Sequence, residues 1–123
     1  MPLYVALNLT EASRREIWKR FPPKFQEIKA DHVTYDFGVD KDVELPEISD
    51  VSAFAYICDE SLEALIVSVN GSTQRLNRIF HITLSRSSDR KSSESNRLAL
   101  HTNKWQTVEP FKIDVTVAIN ETE

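Results

Sequence analysis

Leu3, Val5, Leu7 and Leu9 alternate with Tyr4, Ala6, Asn8 and Thr10. The same period of two returns near the other end of the chain, where Phe111, Ile113, Val115, Val117 and Ile119 alternate with polar or small residues. That is the period of a strand with one face buried. Between these two segments the signals change several times. Thr10, or Ser13 with Glu16 three residues on, is placed to cap a short helix carrying Ile17, Trp18 and Phe21, which Pro22–Pro23 stops. A strand is expected around His32 to Phe37, with Val33, Tyr35 and Phe37 on one face. Residues Gly38 to Asp50 are acidic, lack a clean period and read as a loop joining two halves. Ser52 to Asp59 and Leu62 to Asn70 read as neighbouring strands, closed by the turn signal Asn70–Gly71. Arg78 to Ser85 reads as another strand, with Phe80, Ile82 and Leu84 facing one way. A serine-rich, charged loop follows from Ser85 to Ser95, then a helical turn near Asn96 to His101 and the alternating strand that closes the series. Strand, helix, strand, then several strands with one more short helix is the order of an α+β chain. At 123 residues it is expected to form a single domain over residues 1–123.

Composition removes several function classes. With two glycines there is no phosphate-cradling glycine loop of the nucleotide-binding kind. One cysteine, Cys58, rules out an internal disulfide and a cysteine-rich zinc site, and its apolar surroundings read as those of a buried, inert thiol. No apolar run approaches the roughly 20 residues that cross a bilayer. The first residues carry no basic leader, so no membrane association and a cytoplasmic location are expected. A net charge of -4 argues against broad duplex binding, which rests on neutralising many phosphates. The charge is uneven, however. Ten acids and one lysine fall between Asp31 and Glu63, whereas seven basic residues stand against Asp89 and Glu94 between Arg75 and Lys104. The second stretch is suited to drawing in a small or terminal phosphate, and equally to being a solvated basic face.

Two of the three histidines sit in nearly the same tetrapeptide, His32-Val33-Thr34-Tyr35 and His81-Ile82-Thr83-Leu84. In a strand, His32 and Thr34 share one face, as do His81 and Thr83, while the apolar residues between them point to the core. Each segment thus offers one imidazole and one hydroxyl, about 7 Å apart, to the same side. Reaction at a phosphodiester needs a base for the attacking oxygen and an acid for the leaving one. Histidine titrates near neutrality, so one ring is able to serve neutral while the other is protonated. The Thr34 and Thr83 hydroxyls are suited to holding non-bridging phosphate oxygens. This chemistry asks for no metal or other cofactor. A zinc reading would need a third ligand, for which Asp36 is the candidate beside His32. Each histidine alone would more simply be a satisfied structural residue. His101 lacks the pattern and reads as a surface residue.

The two His-x-Thr-x motifs, in an internally duplicated α+β chain, resemble those of the 2H phosphoesterase superfamily. The stretch His81-Ile-Thr-Leu-Ser, a polar loop, then Glu94-Ser95-Asn96-Arg97-Leu98 is similar to the cyclic phosphodiesterase domain of fungal-type tRNA ligases. The resemblance implies a bilobal 2H phosphoesterase-like fold, with pseudo-twofold related antiparallel sheets and one motif per lobe facing a central cleft. It implies metal-independent action on cyclic phosphates or related diesters. His32 and His81 would be the acid–base pair, and Thr34 and Thr83 the phosphate ligands. Ser85 stands where relatives often have glycine, a position at which backbone approaches the ligand. The 49 positions between the histidines are fewer than in many members, which implies trimmed pocket loops.

Further candidates for substrate contact follow from chemistry and parity. Tyr4 and Asn8 share the face of the first strand opposite its leucines. Tyr35 has the ring to stack a base, although its parity assigns it to the core. Trp105 is placed equally for stacking or packing, and Arg78 and Arg86 flank the His81 strand as contacts for a second phosphate. The leading expectation is hydrolysis of a 2',3'-cyclic phosphate on an RNA end, as in RNA repair, or on a nucleotide. The rivals are hydrolysis of a cyclic di- or oligonucleotide messenger, and an idle module that binds nucleotide phosphates.

Overall fold

A computed structural model describes residues 2–91 and 94–122. Ser92 and Ser93, within the expected serine-rich loop, lie outside the described residues, as do Met1 and Glu123. In chain order the elements are β1 (Leu3–Leu9), α1 (Glu11–Arg20), β2 (Glu27–Ile28), β3 (His32–Val39), β4 (Val51–Cys58), β5 (Leu62–Val69), β6 (Gln74–Arg75), β7 (Arg78–Ile79), β8 (His81–Arg86), α2 (Glu94–Ala99), β9 (Gln106–Lys112) and β10 (Val115–Glu121). Among the described residues the fold is α+β: antiparallel sheet with two α-helices and no closed barrel. None of these helices is long and apolar enough to cross a membrane.

The main sheet runs β10-β1-β3-β8-β5-β4-β9, with β2 alongside β8. Its edges, β9 and β10, follow one another in the chain with only Ile113 and Asp114 between them. Three Cα steps reach at most about 11 Å, so the sheet must curl until its two ends come near each other. The alternating segment Phe111 to Ile119, expected as one strand, is therefore two strands on opposite edges. Ile113 bonds through its N–H to the Val51 carbonyl at 2.8 Å, and the Asp114 N–H donates to the Ser13 hydroxyl at 2.8 Å. Alternation is blind to such a break, because both pieces keep the same parity.

The local signals explain most of the elements. Thr10, not Ser13, caps α1, its hydroxyl accepting from the Ser13 N–H at 3.3 Å. Glu11 in the first turn and Lys19 and Arg20 in the last suit the helix dipole. Phe21 has left the helix just before Pro22. Asn70 and Gly71, with φ of 50° and 83°, make the two-residue hairpin turn between Val69 and Ser72, which exchange hydrogen bonds of 2.8 and 3.0 Å. The expected strand Arg78 to Ser85 is interrupted at Phe80, whose N–H turns aside to the Thr73 carbonyl at 3.0 Å.

The sheet buries both faces along the inner strand β5. Leu65 and Val67 of β5 pack with Leu7, Val33, Ile82 and Leu84, under Ile17 of α1. Leu62, Ala64 and Ile66 of the same strand face the other way, under Leu98 and Ala99 of α2. Cover on both sides is why Leu62–Val69 is nearly continuous in apolar residues instead of alternating. Each fully buried Leu or Ile contributes roughly 1.5–3 kcal/mol. Cys58, expected inside, is half-buried beside this core, with the Lys24 ammonium 3.8 Å from its sulfur.

One carboxylate is enclosed. Glu63 is 1% exposed and accepts from the Tyr56 hydroxyl at 2.5 Å, the Lys24 N–H at 3.0 Å and the Ser85 hydroxyl. Ser85 in turn accepts from the Phe25 N–H at 3.2 Å, so the network pins the segment after Pro22–Pro23 to the sheet. Burial, with the hydrogen bond to Glu63, pushes the Tyr56 hydroxyl far up from its ordinary range and keeps it a donor. Replacing Glu63 by Ala strands two hydroxyls and an amide without an acceptor. We expect a loss of about 3 kcal/mol or more, read as a lower urea midpoint; a midpoint like that of the parent would show that the network adds nothing.

Candidate active site

The two His-x-Thr motifs meet at the centre of the sheet. Strand β3 is paired with β8 through Val33 opposite Ile82, antiparallel, and both side chains are fully buried on the α1 face. The residues flanking them therefore project to the other face. Because the strands run antiparallel, His32 lies on the Thr83 side of this bridge and His81 on the Thr34 side. All four line one cleft of about 380 Å³.

A backbone irregularity sets the cleft's edge. Ile28 pairs with Ser85, and the next pairing between these segments is Val33 with Ile82. The first segment thus advances five residues (28 to 33) while the second advances three (85 to 82). The surplus falls where Ala30, fully buried, takes a left-handed φ of 63°, a conformation rare outside glycine. Lys29 and Asp31, on either side of it, line the cleft beside His32.

His81 is oriented by the chain itself. Its Nδ1 lies 2.8 Å from the Ile79 carbonyl, which accepts the proton there and leaves Nε2 as the bare nitrogen of the neutral ring. Burial lowers the His81 pKa; the Ile79 carbonyl opposes this, and the charges of Arg78 and His32 add to it. Burial also lowers the pKa of His32, but there the Asp31 carboxylate pulls the other way. Thr83 sits 2.8 Å, oxygen to oxygen, from the hydroxyl of Ser95, which α2 holds fully buried. The next residue of that helix, Asn96, lines the cleft, and its amide oxygen is buried with no partner among the described residues.

The other sequence candidates divide. Arg78 lines the cleft with its guanidinium 5.7 Å from the Phe37 ring centre. Tyr4 and Asn8 are on the His32 face, Tyr4 with its ring 5.2 Å from the imidazole and Asn8 opposite His32 in the ladder. Both line an adjoining cleft that shares Lys29, Asp31 and His32 with the first. Arg86 belongs to that second cleft, its guanidinium donating to the carbonyls of Ser87 and Arg90. Three candidates fall outside both. Tyr35 packs into the core and stacks on Phe80 at 5.8 Å. Ser85 is turned inward to Glu63, because β8 carries a bulge between Thr83 and Ser85. Trp105 donates its indole N–H to the Ala99 carbonyl at 3.0 Å and meets Phe54 edge-on, so it packs under α2. His101 is exposed, as expected.

Phe37 is the reverse case. Parity placed it in the core, yet it is 47% exposed and lines the cleft, with its ring 6.2 Å from that of Tyr4. The β1–β3 ladder passes from Ala6–Thr34 to Val5–Asp36, so Tyr35 is the extra residue of a bulge. Beyond it the parity reverses, and no local signal marks the change. Lys29 and Asp31 were also missed, although their nearness to His32 in the chain was the clue. Asp36, the candidate third zinc ligand, is paired with Arg75 at 3.1 Å. Among the described residues, no three His, Cys, Asp or Glu side chains converge as a metal site.

No protein-family model matches the chain, and neither a curated protein nor a solved structure matches it significantly.

Both histidines should titrate below the ordinary imidazole value of about 6.5. Following their ring protons by NMR checks this, and His32→Ala should move the His81 midpoint upward by removing a like charge and opening its surroundings. A His81 midpoint at or above 6.5 in the parent protein would contradict the site as described.

Proposed function

We propose that the chain is a metal-independent phosphodiesterase of the 2H phosphoesterase kind, which hydrolyses a 2',3'-cyclic phosphate by acid–base catalysis with His32 and His81. The observation that carries this reading is the opposition of the two motifs across the Val33–Ile82 pair, which sets two imidazoles and two threonine hydroxyls around one cleft. The local twofold relation of the motifs agrees with the bilobal arrangement of that superfamily. The substrate is a nucleotide or an RNA end.

The environments divide the roles. Two imidazoles whose charges repel share one proton more readily than two. Asp31 favours keeping it on His32, while Arg78 disfavours it on His81. Nε2 of His81 then removes a proton from water as the water oxygen bonds to phosphorus. The bond from phosphorus to one ribose oxygen breaks, and His32 donates its proton to that oxygen, leaving a phosphomonoester. Thr34 and Thr83 donate to the non-bridging oxygens. A hydrogen bond given by Ser95 to Thr83 leaves the Thr83 proton for the phosphate. Lys29 and Arg78, at the rim, offset the phosphate charge.

Turnover of a 2',3'-cyclic mononucleotide is expected to persist in EDTA. His32→Ala and His81→Ala should each lower kcat by about 10²–10⁴-fold. A folded parent protein that leaves the cyclic phosphate intact, or activity that survives both substitutions, would sink the proposal. The pH profile is a separate check. Activity requires neutral His81, so it rises as pH climbs through the lower apparent pKa of the pair. It also requires protonated His32, so it falls through the upper one. Both lie below the ordinary value, so kcat/KM should peak on the acid side of about pH 6.5. A peak well above neutrality would reject this assignment of roles.

A further inference from the structure

The catalytic cleft does not end at His32. Its Lys29, Asp31 and His32 wall is also the wall of the second cleft, about 900 Å³, which runs over β1 and β10. The first cleft, at about 380 Å³, is near the lower end of ligand sites, which span about 300–1,000 Å³. It has room for one nucleotide around the reacting phosphate. The second has room for another.

The floor of the second cleft is built for polar contact. Asn8 and Asn120 exchange amide hydrogen bonds across the β1–β10 ladder, at 2.9 and 3.3 Å. Each amide has two N–H groups and a carbonyl with two lone pairs, so this reciprocal pair, with the further Asn120 N–H turned to Tyr4, leaves one Asn8 N–H and a lone pair on each carbonyl over on a half-buried surface. Asn120 also reaches the Tyr4 hydroxyl at 3.5 Å, and the Tyr4 ring stands beside His32, between the two clefts. The rim carries Lys29 and Lys91, whose ammonium groups form no ion pair among the described residues. Asp31 and Glu121 line it as well, but Asp31 is paired with Arg14 at 3.5 Å. An aromatic ring, the remaining Asn8 N–H with the amide carbonyl lone pairs, and two lysines that form no ion pair among the described residues match the base and phosphate of an unstacked nucleotide.

We infer that the substrate carries a second nucleotide covalently joined to the one holding the reacting phosphate, and that this second nucleotide lies over Asn8 and Asn120. The inference rests on the phosphodiesterase reading, but its test does not require turnover. Both a linear RNA end and a cyclic oligonucleotide supply this chemistry.

The probes are adenosine 3'-monophosphate, the linear dinucleotide of adenosine ending in a 3'-phosphate, and a cyclic diadenosine nucleotide, each titrated into the parent protein by NMR. At least one dinucleotide should bind about tenfold or more tightly than the mononucleotide, the gain that one further held base supplies. It should also shift the side-chain amide signals of Asn8 and Asn120, which the mononucleotide leaves in place. Asn120→Ala and the surface change Lys91→Glu should each shrink that advantage. The better dinucleotide tells an RNA end from a cyclic messenger. Equal affinity for all three ligands, or an advantage untouched by both substitutions, overturns the inference. Turnover of a cyclic mononucleotide beside equal binding would remove the second site alone. Tight dinucleotide binding with no turnover would remove the catalytic reading alone.

Discussion

The pairing of Val33 with Ile82 is the contact on which the rest of the site depends. Both side chains are fully buried, and each contributes roughly 1.5–3 kcal/mol by leaving water. Slipping either strand by one residue would turn an imidazole into the core and an aliphatic side chain into the cleft. The core therefore fixes the register, and the register fixes the chemistry: each imidazole is carried past the bridge toward the other motif's threonine. Enclosing the rings between strands has an electrostatic consequence, since burial disfavours their charged forms.

Departures from regular sheet shape the cleft around that contact. The bulge at Tyr35 reverses the parity of β3 and turns Phe37 outward, and the bulge in β8 sends Thr83 toward the cleft and Ser85 toward Glu63. Left-handed Ala30 carries Lys29 and Asp31 to the wall. Bulges also increase local twist, which favours the curl that brings β9 and β10 close enough for a two-residue link. The two halves of the sheet are finished differently. Over β5 and β4 the face is closed by α2, which places Ser95 against Thr83 and Asn96 at the rim. Over β1 and β10 it stays open and polar, so the cleft continues there.

Asymmetry also separates two imidazoles that the sequence presents as equivalent. His81 has one ring nitrogen committed to a backbone carbonyl and a guanidinium close by; His32 has a carboxylate as its neighbour in the chain. These groups act on different protonation states, so a near-symmetric pair of motifs holds two imidazoles in unlike electrostatic surroundings.

What the sequence determined by itself was whatever depends on neighbours two to four residues apart. Alternation located β1 and the two histidine-bearing strands, continuous apolar runs located β4 and β5, Asn70–Gly71 marked a hairpin turn, and the double prolines marked the end of α1. The repeated His-x-Thr placed each imidazole and hydroxyl on one side of its strand, and all four line one cleft. Tertiary structure decided the rest. That Phe111 to Ile119 divides between two sheet edges depends on the curl of the whole sheet, which leaves no trace in parity. That Phe37 faces the cleft while Tyr35, Ser85 and Trp105 do not depends on bulges and on partners such as Glu63, 22 residues from Ser85, and Ala99, across a helix end from Trp105. The division has a physical basis: side-chain direction follows from local backbone geometry, whereas register, bulges and burial are set by contacts between segments far apart in the chain.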